Sequence, residues 1–193
     1  MLYAAGVSRL RRPFLSDRFF FVTVRLLKER SELSDADFDC LALAFNRARH
    51  MHPYLLTAWV FLPDHWHAIC APRYPLTISV AIKSVKMSSL ILINRWRGEH
   101  GELWQGRFFD RALRTVREYN EKVEYIHLNP VKAGLVRRAQ DWRWSSKRRG
   151  PQNRRSALCV SVVLLRRAAQ VGEACLLEEF GGGAGVDGEA HSG

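Results

Sequence analysis

The first 146 residues alternate between two hydrophobic patterns, which predict strands and helices in turn. Dense runs of apolar, aromatic and β-branched residues are typical of strands, and they cover residues 18–26, 55–61 and 103–113. Apolar side chains that recur every three or four residues predict amphipathic helices, and they cover residues 34–50, 77–97 and 115–130. This order indicates a sheet with helices packed on it.

Polar residues and prolines mark the ends of these elements. Ser34 is a predicted N-cap, and the acids that follow it suit the positive end of a helix dipole. Thr115 and Glu118 form a predicted capping box at the start of the last helix. Pro63 and Asp64 interrupt the second strand, which we expect to resume beyond them.

The strand and helix patterns fade after residue 146. Residues 147–193 begin with a basic run and end in glycine and small polar residues. Such a composition predicts a largely disordered tail with at most one helix. We therefore expect one folded domain over residues 1–146 and a basic, then Gly-rich tail over residues 147–193.

Positive charge is in excess along the chain. The sequence carries 30 Lys and Arg against 19 Asp and Glu, a formal net charge of +11. Residues 1–146 alone hold 23 basic and 14 acidic side chains, so the excess is not a property of the tail. It indicates an anionic partner, either nucleic acid or an acidic membrane surface, although a merely soluble basic surface explains the charge equally well.

The cysteines and the hydropathy of the chain bear on where the protein works. The four cysteines form no C-x-x-C pair, so neither a zinc knuckle nor a disulfide framework is predicted. Scattered thiols suit a reducing compartment. No uncharged apolar stretch reaches the ~18 residues of a membrane span, and no secretory leader is evident. We expect a cytoplasmic protein.

Two histidines two residues apart are the first candidate for chemistry. His65 and His67 flank Trp66 after an apolar run. On a strand, residues two apart share a face, so both imidazoles would point to one place while Trp66 enters the opposite layer. One histidine in a strand is usually a structural residue, whereas two on one face favour a pair of ligands for a divalent metal. Asp64 would either orient an imidazole or cap the turn.

A tyrosine and an asparagine in the last helix are the second candidate. Tyr125 and Asn129 are four residues apart and therefore share a helix face. An amide oxygen is an acceptable ligand for magnesium or manganese, and a tyrosine on the same face could lie next to the metal. Without the histidine pair, a core tyrosine and an ordinary asparagine at the helix end would be the better explanation. Tyr119 competes as nucleophile but points in another direction. His127 faces away from Tyr125, so we interpret it as structural or DNA-facing.

Tryptophans interleaved with arginines are open to two readings. Trp104, Trp142 and Trp144 could stack on nucleic-acid bases while neighbouring arginines hold phosphates. It is at least as good an explanation that these are ordinary core tryptophans, with the apolar parts of arginine side chains packed on them. The sequence contains no phosphate-binding P-loop, no dinucleotide-binding G-x-G-x-x-G and no H-E-x-x-H zinc motif.

Four segments together resemble a known family. They are Leu-Pro-Asp-His-Trp-His-Ala at 62–68, Leu-Trp-Gln-Gly-Arg-Phe-Phe-Asp at 103–110, Tyr-Ile-His-Leu-Asn-Pro-Val-Lys-Ala-Gly-Leu-Val at 125–136 and Asp-Trp-Arg-Trp-Ser-Ser at 141–146. In this order and spacing they resemble the single-tyrosine HUH transposases of the insertion-sequence-200 type, and especially the branch of REP-associated tyrosine transposases. The resemblance covers roughly residues 14–146, and the tail does not take part in it.

The resemblance implies both a fold and a site. The fold would be α+β and ferredoxin-like, an antiparallel sheet with helices packed on one face and the HUH histidines on a central strand. His65 and His67 would bind a divalent metal, Mg²⁺ or Mn²⁺, and Asn129 would be its third ligand. Tyr125 would be the catalytic nucleophile. Trp66 is a bulky choice for the middle position of the motif but keeps its apolar character.

The resemblance also implies an activity and a partner. The protein would cleave and rejoin hairpin-flanked single-stranded DNA through a 5′-phosphotyrosine intermediate, in a bacterial cytoplasm and on the nucleoid when bound. The residues expected to hold the strand are Arg107, Arg111, Lys132, Arg137 and Arg138. The sequence leaves open a monomer or a homodimer. It also leaves open a hairpin-DNA-binding module without cleavage, a metal-dependent nuclease that uses water, and a structural basic protein.

Overall fold

A computed structural model describes residues 18–148 of the chain. The sequence before residue 18 and the predicted tail from residue 149 onward lie outside the described residues. The strands are β1 (Phe20–Arg25), β2 (Tyr54–Phe61), β3 (His65–Pro72) and β4 (Phe109–Ala112). The helices are α1 (Asp35–Met51), α2 (Ile78–Arg97) and α3 (Val116–Lys132). Two short 3₁₀ turns follow, at Ala139–Asp141 and Ser146–Arg148.

The four strands form one antiparallel sheet in the order β2-β3-β1-β4. Two β-α-β units, β1-α1-β2 and β3-α2-β4, interleave to give this order, which is the ferredoxin-like arrangement. The α+β, ferredoxin-like class predicted from the sequence is therefore confirmed. Strand β3, which carries both histidines, is central because it pairs with β1 and with β2. None of the described helices is long and apolar enough to cross a membrane.

The two faces of the sheet have different coverings. Val22 and Trp66 point to the face that packs on α1 and α2, and Trp66 lies fully buried against Phe45 there, with ring centroids 4.9 Å apart. This is the opposite layer that strand alternation predicts for Trp66. Helices α1 and α2 both pack on this face, as the predicted fold class requires. Helix α3 packs on the other face, where Ile126 is buried against Phe21 and its neighbours.

The predicted interruption of the second strand is a hairpin turn. β2 and β3 are separate antiparallel strands, and the backbone N–H of Leu62 donates to the carbonyl of His65 (2.9 Å) across Pro63 and Asp64. Proline and aspartate favour such a reversal because proline fixes φ and aspartate stabilises turns. The reversal places His65 at the start of β3 instead of the end of β2.

The third predicted strand is much shorter than its hydrophobic pattern. Only Phe109–Ala112 pairs as a strand, and Trp104 makes a single bridge with Leu26. The Lys86 ammonium donates to the carbonyls of Gln105 (2.7 Å) and Gly106 (3.0 Å). A side chain, and not a neighbouring strand, therefore satisfies these two carbonyls. The apolar residues around 104 fill the core without extending the hydrogen-bonded pairing of β4.

Helix α3 begins and ends at recognisable signals. The Thr115 hydroxyl accepts from the backbone N–H of Glu118 (3.1 Å). At the other end Gly134 has a φ of 71°, and the N–H groups of Leu135 and Gly134 donate to the carbonyls of Pro130 (2.9 Å) and Val131 (3.0 Å). These two hydrogen bonds form a Schellman motif. Glycine is favoured there because the residue that follows the helix end adopts a left-handed backbone conformation. The helix therefore continues two residues past Pro130, beyond the end predicted from the sequence.

Candidate active site

The two histidines of β3 converge. Their Nε2 atoms are 3.1 Å apart, and the ring centroids are 4.7 Å apart. Both side chains project to the face that carries α3, because alternate residues of a strand share a face. The structure therefore brings His65 and His67 together as strand alternation predicts.

Each imidazole is held from behind by a polar partner. Nδ1 of His67 lies 2.8 Å from the Thr23 hydroxyl on β1, and Nδ1 of His65 lies 2.5 Å from the Asp64 carboxylate. The Asp64 carboxylate can only accept a hydrogen bond, so Nδ1 of His65 is the donor there, and the Thr23 hydroxyl can accept one from Nδ1 of His67. Both Nε2 lone pairs are then left facing the same point. Of the two readings of Asp64, the structure shows the one in which it orients an imidazole.

Burial keeps His67 neutral. Desolvation, with a smaller contribution from the charge of His65, lowers the pKa of His67 from 6.5 to about 3. A histidine with such a pKa is unprotonated at neutral pH. An unprotonated imidazole is the form that binds a metal, so the chemistry of this pair suits a divalent cation.

Tyr125 of α3 faces the histidine pair. Its ring centroid lies 5.3 Å from that of His67 and 5.8 Å from that of Phe21. Phe21 in turn stacks on His67 at 5.2 Å. Tyr119 packs instead on Phe19, with centroids 5.2 Å apart. The structure therefore brings Tyr125, and not Tyr119, against the imidazole of His67.

Asn129 lies one turn beyond Tyr125 on α3 and is buried. Helical spacing places its side chain on the Tyr125 face of α3, within the described residues 18–148. Within the same described range, no group of three His, Cys, Asp or Glu side chains could hold a metal ion. A third protein ligand beside the two histidines would then be of another type, and the amide of Asn129 is a suitable oxygen donor. A divalent metal such as Mg²⁺ or Mn²⁺ would be offered two imidazole nitrogens from β3 and one amide oxygen from α3 here.

Two lysines bracket Tyr125. The Lys122 ammonium lies 5.3 Å from the Tyr125 ring centroid and 4.9 Å from that of Phe21. The Lys132 ammonium lies 5.3 Å from the Tyr125 ring centroid. Lys132 is among the DNA-binding residues predicted from the sequence, whereas Lys122 is not. The signal that could have found Lys122 is its spacing, because residues three apart on a helix are neighbours.

The other predicted DNA-binding cations are spread more widely. All four of them, Arg107, Arg111, Arg137 and Arg138, are exposed. Arg111 lies on β4 and pairs with Glu118 at 2.9 Å. Arg138 pairs with Asp141 at 3.0 Å. Arg111 shares the sheet face of the histidines, since it stands opposite Phe21 on β1.

The tryptophans belong to the core. Trp104 and Trp144 are 3% and 1% exposed, and the indole N–H of Trp142 donates to the carbonyl of Phe61 (2.8 Å). These positions leave no ring face of Trp104 or Trp144 open to a base. The core explanation is therefore the correct one.

His127 holds the end of the domain to α3. Its Nε2 lies 2.9 Å from the Ser146 hydroxyl, and the backbone N–H of Trp59 donates to that same hydroxyl (3.0 Å). Desolvation and the nearby Lys147 lower the pKa of His127 to about 4. His127 is therefore a structural residue, one of the two roles expected for it.

We expect the free energy of unfolding to fall as pH drops from 6.5 towards 4, and to fall less in a His127→Gln variant. Between pH 6.5 and 4 the unfolded chain binds a proton at His127 that the native state does not, so acid favours unfolding. Above pH 6.5 the contribution of neutral His127 to the free energy of unfolding is complete. Glutamine keeps a partner for Ser146 but cannot titrate. Denaturant titrations in chelator at pH 7, 5.5 and 4.5 measure the difference, and His67 contributes equally to both proteins. Identical pH slopes would contradict this assignment.

The fold and the site define a class of protein. A ferredoxin-like sheet with a histidine pair on a central strand and a tyrosine on the helix opposite it is the arrangement that the resemblance to single-tyrosine HUH transposases implied. No family model matches the chain. Comparison with individual proteins gives a more specific result.

The chain is 31% identical over 141 residues to the REP-associated tyrosine transposase of Escherichia coli strain K12, covering 72% of this chain and 82% of that protein. A relative from Haemophilus influenzae, provisionally given the same family name, is 26% identical over 151 residues, covering 72% and 85%. A solved REP-associated tyrosine transposase, bound to a REP hairpin, superposes with a TM-score of 0.66 at 31% identity, over 76% of this chain and 86% of that chain. The chain belongs to the REP-associated tyrosine transposase family.

Proposed function

We propose that the protein cleaves and rejoins single-stranded DNA beside a hairpin, with Tyr125 as the nucleophile. The observation that carries the proposal is the placement of the Tyr125 ring 5.3 Å from His67, between two lysines. The phenolic oxygen forms a bond to the phosphorus as the bond from phosphorus to the 3′-oxygen breaks. This leaves a 5′-phosphotyrosine link and a free 3′-hydroxyl. A second 3′-hydroxyl can then reverse the step and join new ends.

His65, His67 and Asn129 would hold a divalent cation, Mg²⁺ or Mn²⁺. When bound, such a cation neutralises charge on the scissile phosphate and makes phosphorus a better electrophile. Thr23 and Asp64 hold the two rings with Nε2 of each turned towards the site, through their contacts with Nδ1. Their role is to position the ligands, because neither oxygen needs to touch the DNA.

The partner proposed for this surface is DNA that combines a hairpin with a single strand. The solved family member is bound to a REP hairpin, and the net charge of +11 suits a polyanion. Lys132 and Arg111 stand on the side of the sheet where Tyr125 lies. Arg107, Arg137 and Arg138 are exposed and would hold the flanking phosphates. Affinity should therefore fall steeply with salt.

The test of this function is a search for a covalent product. The protein is incubated with end-labelled hairpin oligonucleotides carrying a single-stranded extension, with and without Mn²⁺, and then denatured. A labelled band at the mass of the protein plus a DNA fragment is the expected result. Repeated cleavage with no protein-linked product would point to a nuclease that uses water. Binding without any cleavage would point to a hairpin-binding module.

We expect Lys122→Met to slow formation of the covalent product by about 10- to 100-fold at saturating DNA, because a charge-assisted contact to phosphate contributes about 1.5–3 kcal/mol. Methionine keeps the packing over Phe21 but removes the charge. Lys122→Arg is the matched control and should retain most of the rate. Single-turnover kinetics measure both variants. A methionine variant as fast as the unaltered protein would remove Lys122 from the mechanism.

A further inference from the structure

One large aromatic side chain beside the histidine pair is exposed. Phe109 on β4 is 56% exposed. It pairs with Thr23 of β1, and Thr23 pairs on its other side with His67 of β3. Paired residues of neighbouring strands point to the same face, so Phe109 shares the face of the histidines. Its Cα lies about 10 Å from that of His67, two strand spacings away.

Phe109 is the outer end of a row of rings. Its ring centroid lies 6.3 Å from that of Phe21, in an edge-to-face arrangement. Phe21 is 5% exposed and contacts both His67 and Tyr125. The row thus runs from solvent directly to the candidate catalytic groups. Phe21 supports the inner edge of the Phe109 ring, and more than half of Phe109 remains open.

The surroundings of Phe109 are cationic. Arg111 stands two residues further along β4 and therefore on the same face, and Arg25 stands opposite His65. The Lys122 ammonium lies 4.9 Å from the Phe21 ring. Two acids in these surroundings pair with the cations: Glu118 contacts Arg111 (2.9 Å), and Asp64 contacts His65 (2.5 Å) and lies 3.9 Å from Arg25. An exposed ring among cations suits a ligand that is both flat and anionic.

We propose that Phe109 is a stacking platform for an unpaired base of the DNA strand, next to the phosphate that Tyr125 attacks. This inference rests on the proposed function, because that function places the strand at the histidine pair. Stacking on a phenyl ring tolerates any base, since every base offers a flat π face. The platform would fix the direction of the strand across β4, β1 and β3. A duplex could not use it, because its bases are already stacked.

The charge around Phe109 argues for nucleic acid over a protein partner. A protein-binding patch has an apolar centre that is poor in charge, whereas here one phenyl ring stands among arginine and lysine side chains. The aromatic row is also continuous with the candidate catalytic groups. A base seated on Phe109 would therefore have its phosphate on the side of the sheet where Lys122 and the histidines lie.

The test compares two single strands of equal charge. One is a ten-residue oligothymidylate, and the other is an abasic strand with the same number of phosphates. Binding is measured in a Tyr125→Phe background with Mg²⁺, so that no cleavage intervenes. We expect the unaltered surface to prefer the thymidylate strand. We expect Phe109→Ala to weaken thymidylate binding by about 5- to 100-fold, the range found for loss of one stacked base, and to leave binding of the abasic strand unchanged.

Three further variants make the result specific. Phe109→Trp should restore the preference, because it retains a π face, whereas Phe109→Leu should not, although it is apolar. Trp96 is the matched control, since it is 54% exposed on α2 at the other side of the sheet. Trp96→Ala should bind both strands normally. A leucine variant equal to the unaltered protein, or an alanine variant that keeps its preference, would overturn the proposal.

The outcome is separable from that of the proposed function. If the unaltered protein forms no covalent product but Phe109→Ala still loses its preference for bases, the platform stands and the tyrosine chemistry fails. If the covalent product forms and the preference does not depend on Phe109, the chemistry stands and the platform fails.

Discussion

Replacing Tyr125 with phenylalanine should abolish the covalent protein–DNA product while binding of hairpin DNA changes less than about threefold. The substitution removes only the phenolic oxygen, which is the atom that would bond to phosphorus. The ring remains against His67 and Phe21, where it packs at 5.3 and 5.8 Å, so the fold and the DNA surface should persist. A drop of at least about three orders of magnitude in product is expected, since no other group supplies the bond.

Tyr119→Phe is the matched control for that experiment. Tyr119 lies on the same helix but packs on Phe19, so its loss should leave the product unchanged. Denaturing gels and a filter-binding assay report product and affinity separately. A product that persists in Tyr125→Phe and disappears in Tyr119→Phe would reassign the nucleophile.

Removal of either imidazole should abolish metal-dependent cleavage. His65→Ala and His67→Ala each delete one of two nitrogen atoms that face each other at 3.1 Å. The remaining histidine and Asn129 would form a much weaker site, so we expect the rate with Mn²⁺ to fall by more than about 100-fold. Chelator should reduce the rate of the unaltered protein in the same way.

A second readout measures metal binding directly, without relying on cleavage. Calorimetric titration of Mn²⁺ should show binding to the unaltered protein and much weaker binding to either alanine variant. His100→Ala is the control, because His100 is exposed and lies in the loop after α2. Full activity of the unaltered protein in chelator would remove the metal from the account.

Much of the site could be predicted from local pattern. Alternation along a strand sufficed to place His65 and His67 on one face and Trp66 on the other. Helical spacing placed Tyr125 and Asn129 together and turned Tyr119 elsewhere. These predictions needed only the period of an element, which a few residues determine. The family resemblance added the ferredoxin-like topology, which no local pattern contains.

The remaining features depend on contacts between distant segments. The orientation of His67 depends on Thr23, 44 residues away in sequence, and strand pairing cannot be read from either residue alone. Helix α3 packs on the face of the sheet that α1 and α2 leave open, because β3 presents the apolar Ile69 there. The short β4 and the exposure of Phe109 follow from tertiary packing, since Phe108 packs towards the core and alternation turns Phe109 outward.

The most direct measurement is the location of the DNA link by mass spectrometry. Trypsin cuts after lysine and arginine, so Tyr125 falls in the peptide 123–132 and Tyr119 in the peptide 118–122, with no second tyrosine in either. After digestion of the covalent product with trypsin and nuclease, we predict a nucleotide mass attached to peptide 123–132. A nucleotide mass on peptide 118–122, or a cleaved strand with no modified peptide, would contradict the central claim.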